Sequence, residues 1–145
     1  MKFRFVQYFL IVVAILLIAG CALNSEVLRL KHAAVNGDII LVRQLLAEHG
    51  DINVNAQDKN GNTALMHATS SGEIKIVGIL LSAGADVNAK NKRRNTALTI
   101  ATRQGNANMV DTLINAGADV SMKNKDGFTA LRIAAENSQA EIIRM

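Results

Sequence analysis

An all-α solenoid of helix–turn–helix units, joined by hairpin-like loops, is the fold class this sequence predicts. Three observations predict it. The stretch Asp58 to Lys90, DKNGNTALMHATSSGEIKIVGILLSAGADVNAK, returns 33 residues later as Asn91 to Lys123, NKRRNTALTIATRQGNANMVDTLINAGADVSMK. It starts a third time at Asn124 and runs to Met145 as NKDGFTALRIAAENSQAEIIRM, with Thr63, Thr96 and Thr129, Leu65, Leu98 and Leu131, and Ala68, Ala101 and Ala134 in register. A unit repeated at this period cannot bury its apolar face alone and does so by stacking on its neighbours. The third observation is composition. Half of the residues are hydrophobic but only 3% are aromatic. Short helices that pack closely need such small aliphatic side chains.

The first 20 residues are predicted to lie outside the fold. Lys2 and Arg4 make a short basic start, and Phe9 to Ala19 is an unbroken apolar run. This is the pattern of a secretory leader. Its end, Leu17-Ile18-Ala19-Gly20-Cys21, resembles a bacterial lipobox. That resemblance implies cleavage before Cys21 and acylation of the Cys21 thiol, with small residues at Ala19 and Gly20 admitting the peptidase. Ala22 stands where aspartate would imply inner-membrane retention, so the resemblance leans to the outer membrane, facing the periplasm. Two other readings stay open: an ordinary cleaved signal in which Cys21 is incidental, and an uncleaved anchor. The apolar run is short of the roughly 20 residues that span a bilayer unless Phe3 to Leu23 is counted.

After the signal segment (1–20), residues 21–26 read as a lipid-anchored tether. Residues 27–57 read as a degenerate N-terminal capping repeat. There Leu28, Leu30, Ala33 and Ala34 mark a buried helix face, and Ile40, Val42, Leu45 and Leu46 mark that of a second helix. Ser25, Glu26, Arg29 and Lys31 suit the polar outer face that a terminal repeat needs; the alternative is that Asn24 to Lys31 is partly a flexible tether from the lipid. Residues 58–90 and 91–123 are full repeats. In the first of these, Thr63 is the expected N-cap of an inner helix ending at Gly72. Leu65, Ala68 and Thr69 face the stack, and the outer helix buries Ile76, Val77, Leu80 and Leu81. The next repeat repeats this with Leu98, Ala101, Val110, Leu113 and Ile114. Arg94 there replaces Gly61 and Gly127, so the finger either tolerates a strained φ at a cost on the order of 1 kcal/mol or takes another shape. Residues 124–145 form a truncated C-terminal repeat in which Ser138 replaces a glycine.

The segments Gly61-Asn62-Thr63-Ala64-Leu65-Met66-His67-Ala68, Gly72 to Leu81, and Gly84-Ala85-Asp86-Val87-Asn88-Ala89 together resemble an ankyrin repeat, over about Asn24 to Met145. Two departures stand out. Ala64, Ala97 and Ala130 replace the family's proline, and Met66, Thr99 and Arg132 replace its histidine. The loss of both predicts looser first turns in the inner helices.

No catalytic constellation is visible: no phosphate-binding loop, metal-ligand spacing or nucleophile–base pair. Asp51, Asp86 and Asp119 read as turn residues, and His67 as a packed or solvent-edge histidine. Cys21 is the one cysteine, so no disulfide can form within the chain. The net charge of +4 falls to +2 once Lys2 and Arg4 are set aside. That is too small to argue for nucleic acid.

By the family resemblance, partners are bound by the finger tips and the exposed side of the inner helices. Carried over to this chain, those are Lys59, Asn60, Asn62, Ser70 and Ser71 in one full repeat and Lys92, Arg93, Asn95, Arg103 and Gln104 in the next. In the last repeat they are Lys125, Asp126, Phe128, Glu136 and Asn137, with Val35 and Asn36 extending the row. The finger Lys90-Asn91-Lys92-Arg93-Arg94 holds four positive charges in five residues. It reads either as a solvated basic face or as a site for an acidic partner or anionic headgroups. Phe128 reads either as an interface anchor or as a side chain folded onto the C-terminal cap. The expected function is a non-enzymatic protein–protein interaction module, lipid-anchored in the bacterial envelope. The alternative is an immunity protein that neutralises a periplasm-acting toxin. A monomer is expected, with a protein partner, membrane contact through lipid on Cys21, and no cofactor, metal, nucleic acid or small-molecule substrate.

Overall fold

A computed structural model describes residues 25–48 and 52–144. The leader, Cys21, most of the tether, and Asp51 lie outside the described residues. Helix α1 covers 25–36, followed by α2 (Ile39–Glu48), α3 (Ala64–Ser70), α4 (Ile74–Ser82), α5 (Ala97–Gln104), α6 (Ala107–Asn115), α7 (Ala130–Glu136) and α8 (Ala140–Ile143). Among the described residues there is no strand.

The helices stack as the repeat requires. Inner helices α3, α5 and α7 pack in one row, outer helices α2, α4, α6 and α8 in a second, and each inner helix packs on the outer helix of its own repeat. One core runs through the stack from Leu30 and Leu45 through Leu65, Ile76, Val77 and Leu80 to Leu98, Val110 and Leu113, all buried. Each such leucine or isoleucine contributes about 1.5–3 kcal/mol by leaving water. Leu81 and Ile114 pack against this core only partly buried.

The ends depart from the expected burial. Ile40 is 80% exposed and Leu28 is 54% exposed, while Lys31 is only 7% exposed. Both apolar residues lie off the stripes that face the stack: Leu30, Ala33 and Ala34 on α1, and Ile39, Val42, Leu45 and Leu46 on α2. Lys31 falls beside the α1 stripe, so its stem packs inward. Burial lowers its pKa, and the nearby Asp58 charge partly counters this. At the other end Leu131 is 57% exposed. It occupies the register of the buried Leu65 and Leu98 but has no described repeat stacked beyond it.

Each inner helix begins on a threonine cap. Thr63, Thr96 and Thr129 accept from the backbone N–H of Met66, Thr99 and Arg132. In α5 the cap is reciprocal, because Thr99 Oγ1 accepts from Thr96 N at 2.9 Å. Thr99 stands where the family carries histidine, so its hydroxyl supplies polar contacts to the first turn. The looser first turns expected from the missing Pro and His are thus offset by caps, each worth about 1 kcal/mol. Buried Thr69 and Thr102 donate to Leu65 O and Leu98 O, which satisfies their hydroxyls.

Candidate protein-binding row

The fingers owe their shape to one side chain each, at the repeat period. Asp58 Oδ1 accepts from the N–H groups of Asn60 and Asn62. Asn91 Oδ1 accepts from Arg93 and Asn95, and Asn124 Oδ1 from Asp126 and Phe128. Such Asx turns let a short polar side chain replace backbone pairing in a tight loop. Neighbouring fingers are then tied together: Lys92 N donates to Asn60 O at 3.0 Å and Lys125 N to Arg93 O at 2.9 Å. A second ladder joins the loops that follow the outer helices. Asn55 bonds Gly84 O and Asp86 N, and Asn88 bonds Gly117 O and Asp119 N. Asp86 and Asp119 accept from their own turns, at Asn88 N and Ser121 N, as turn residues do.

Close contact between fingers explains one glycine. At Gly61, φ is +80° and an added Cβ would lie 2.8 Å from Lys92 N. Arg94 occupies the same register one repeat on and holds φ 57°. Of the two expectations for this turn, the structure shows the strained positive φ.

The row places its residues unequally. Lys59 and Asn60 are exposed at the first finger tip, Lys92 and Arg93 at the second, Lys125 and Asp126 at the third. Ser70 and Ser71 are exposed at the end of α3, where Gln104 Nε2 donates to Ser70 O at 2.7 Å and links α5 to α3. Asn62 is half-buried and its Oδ1 accepts from Asn91 Nδ2. Asn95 corrects the expectation of an exposed tip residue. It is 6% exposed, and its Oδ1 accepts from Arg103 at 3.4 Å. Phe128 is half-buried, with the Arg132 guanidinium 4.0 Å from its ring centroid. Arg132 also pairs with exposed Glu136 at 3.1 Å. Phe128 and Glu136 are thus both engaged by Arg132 of α7 rather than standing free.

Two openings lie along the row. Arg93, Asn95, Arg103, Lys125 and Asp126 surround a cavity of about 460 Å³. Asn60, Asn91, Lys92 and Arg93 line a smaller one of about 260 Å³. Sequence reasoning passed over Asn91, which joins two fingers, and over the pair formed by His67 and Asp58, 3.0 Å apart. The 33-residue spacing of Asp58, Asn91 and Asn124 is the signal that could have found the first. Among the described residues no group of three or more His, Cys, Asp or Glu could hold a metal ion, and no helix is long and apolar enough to cross a membrane.

Stacked helix pairs with tied fingers and a polar row define a solenoid binding protein. The chain belongs to the ankyrin-repeat family, whose model of three ankyrin repeats matches residues 8–91 and 88–145. No curated protein matches the sequence. As an ankyrin-repeat chain it is a protein–protein interaction module, of a family that is typically non-enzymatic.

Proposed function

We propose that this chain is a lipid-anchored binding module of the bacterial envelope. Acyl chains on Cys21 hold it to the membrane, more specifically the outer membrane, and its repeats face the periplasm. It holds a protein partner on the row of finger tips and inner-helix ends. The observation that carries the binding reading is the tied row itself. Lys92, Arg93 and Lys125 project from backbone already fixed by bonds within and between fingers, so little ordering entropy opposes binding there. The anchor reading rests on Lys2, Arg4, the apolar run and Leu17 to Cys21. Two or more acyl chains on one cysteine hold firmly, each buried CH₂ adding about 0.8 kcal/mol.

A pull-down with the full chain from envelope extract tests the partner. Metabolic palmitate labelling tests the anchor: Cys21→Ala abolishes labelling and leaves an uncleaved precursor. Label that persists in Cys21→Ala removes the anchor reading. The start of the mature chain also decides how the leader relates to the family match, which begins at residue 8.

The narrower reading is an immunity protein. It is favoured by the basic cavity, carried on a domain that the proposed anchor holds in the periplasm. Co-expression should then protect cells from a toxin directed to their own periplasm. A captured partner without any protective effect leaves the module and removes the immunity role.

A further inference from the structure

Three cations converge on the larger cavity of the row, two from tied finger backbone and one from the end of α5. Arg93 N donates to Asn91 Oδ1 at 3.0 Å, and Arg93 O accepts from Lys125 N at 2.9 Å. The backbone under Arg93 is therefore clamped on both sides, and that under Lys125 on one. Arg103 comes from the last turn of α5, and its guanidinium is steered by buried Asn95. Among the described residues none of the three makes an ion pair, although Asp126 lines the same cavity. Elsewhere among the described residues Arg29 pairs with Glu26 and Arg132 with Glu136, while Arg43, Arg94 and Arg144 stand singly on the surface; what sets this site apart is that three cations share one cavity. The cavity thus carries an excess of positive charge, three cations against Asp126, on backbone that is held in place.

We propose that this cavity is a carboxylate-binding pocket, which receives an Asp or Glu side chain of the protein partner between Arg93 and Arg103, with Lys125 at its edge. This rests on the reading of the row as a partner-binding face. Guanidinium groups present planar forks that match a carboxylate with two parallel hydrogen bonds. Asp126 on the rim favours a peptide over a bare phosphate or a lipid headgroup. Its carboxylate can accept from a backbone N–H beside the bound side chain, a donor that a phosphate or a phosphodiester headgroup does not offer. The uncharged Asn60 and Asn91 lining the adjoining opening, which shares Arg93, suit the polar backbone that flanks an acidic residue.

The test titrates the full chain with a fluorescent, end-blocked hexaglutamate peptide, and separately with vesicles containing phosphatidylglycerol. Arg93→Gln and Arg103→Gln should each weaken peptide binding about three- to tenfold. Arg103→Lys should not restore it, whereas Arg43→Gln and Lys75→Gln, on the outer helices α2 and α4, should stay within about twofold of wild type. Equal losses at Arg43 or Lys75 would mean diffuse polyanion attraction and overturn the pocket. So would vesicle binding that depends on Arg93 while the peptide fails to bind. Circular dichroism of Arg103→Gln checks that α5 stays folded, and Arg93→Gln, on an exposed tip, reads the site independently of that helix. Capturing the cellular partner with the same variants separates the two readings. Undiminished capture by Arg93→Gln with Arg103→Gln sinks the pocket and leaves the binding row, whereas no capture by wild type sinks the row.

Discussion

His67 Nε2 lies 3.0 Å from Asp58 Oδ2, joining the inner helix α3 to the base of its own finger. The other oxygen of the same carboxylate closes the finger turn on the N–H groups of Asn60 and Asn62. Burial alone would raise the Asp58 pKa, but the bonds from Asn62, Asn60 and His67 together hold it below the usual carboxylate value. A carboxyl whose pKa is lower folded than unfolded adds stability above its unfolded pKa, near 3.9, and loses it as pH falls through the folded value. Unfolding midpoints should therefore fall below about pH 4. Asp58→Asn should flatten that acid limb at a cost of less than about 1 kcal/mol, because Asn91 and Asn124 close their fingers in the same way. Asp58→Ala should cost about 1–2 kcal/mol by leaving two N–H groups unpaired. Urea unfolding of the three proteins between pH 3 and 7 reads all of this.

Gly61 and Arg94 share a register and a positive φ but differ in room. Gly61→Ala should destabilise by about 1–3 kcal/mol, since its Cβ meets backbone as well as strained φ. Arg94→Gly should stabilise by about 0.5–1 kcal/mol by relieving that φ. Chemical denaturation of both variants measures the pair; a loss of stability in Arg94→Gly would mean that the Arg94 side chain stabilises the finger.

Gly78 sits exposed in the middle of α4, with nothing within 4 Å of where a Cβ would stand. Gly78→Ala should stabilise the chain by about 0.5–1 kcal/mol and raise its melting temperature by a few degrees. Thermal melting followed by circular dichroism checks this. A drop in melting temperature would mean that α4 needs the notch.

Much of this architecture is legible in the repeat, because stacking makes each register position meet the same surroundings. Thr63, Thr96 and Thr129 cap as read, and the positive φ at Arg94 is one of the two expectations set by the glycines on either side of it. The reading fails where a repeat lacks a neighbour or a bond crosses between repeats. Leu131 has no described repeat stacked beyond it, whereas Leu28 and Ile40 lie off the stripes that face the stack. Asn95 looked like a finger tip because Asn62 did, but Arg103, absent from the equivalent position of α3, draws it inward. Of the two readings of Phe128, anchor or side chain folded onto the cap, the sequence does not choose; Arg132, which stands where the family carries histidine, stacks on its ring and draws it toward α7. Of the binding row, the residue set follows from the resemblance, whereas the clustering of Arg93, Arg103 and Lys125 needs the bonds that tie one finger to the next.

The most direct test of the binding face is photo-cross-linking in cells, with a benzophenone residue placed at Lys92 or Gln104 on the row and at Lys75 or Asp111 on the outer helices. The account predicts one common protein adduct from Lys92 and Gln104 and none from Lys75 and Asp111. An adduct from the outer-helix positions, with the row positions silent, would contradict it.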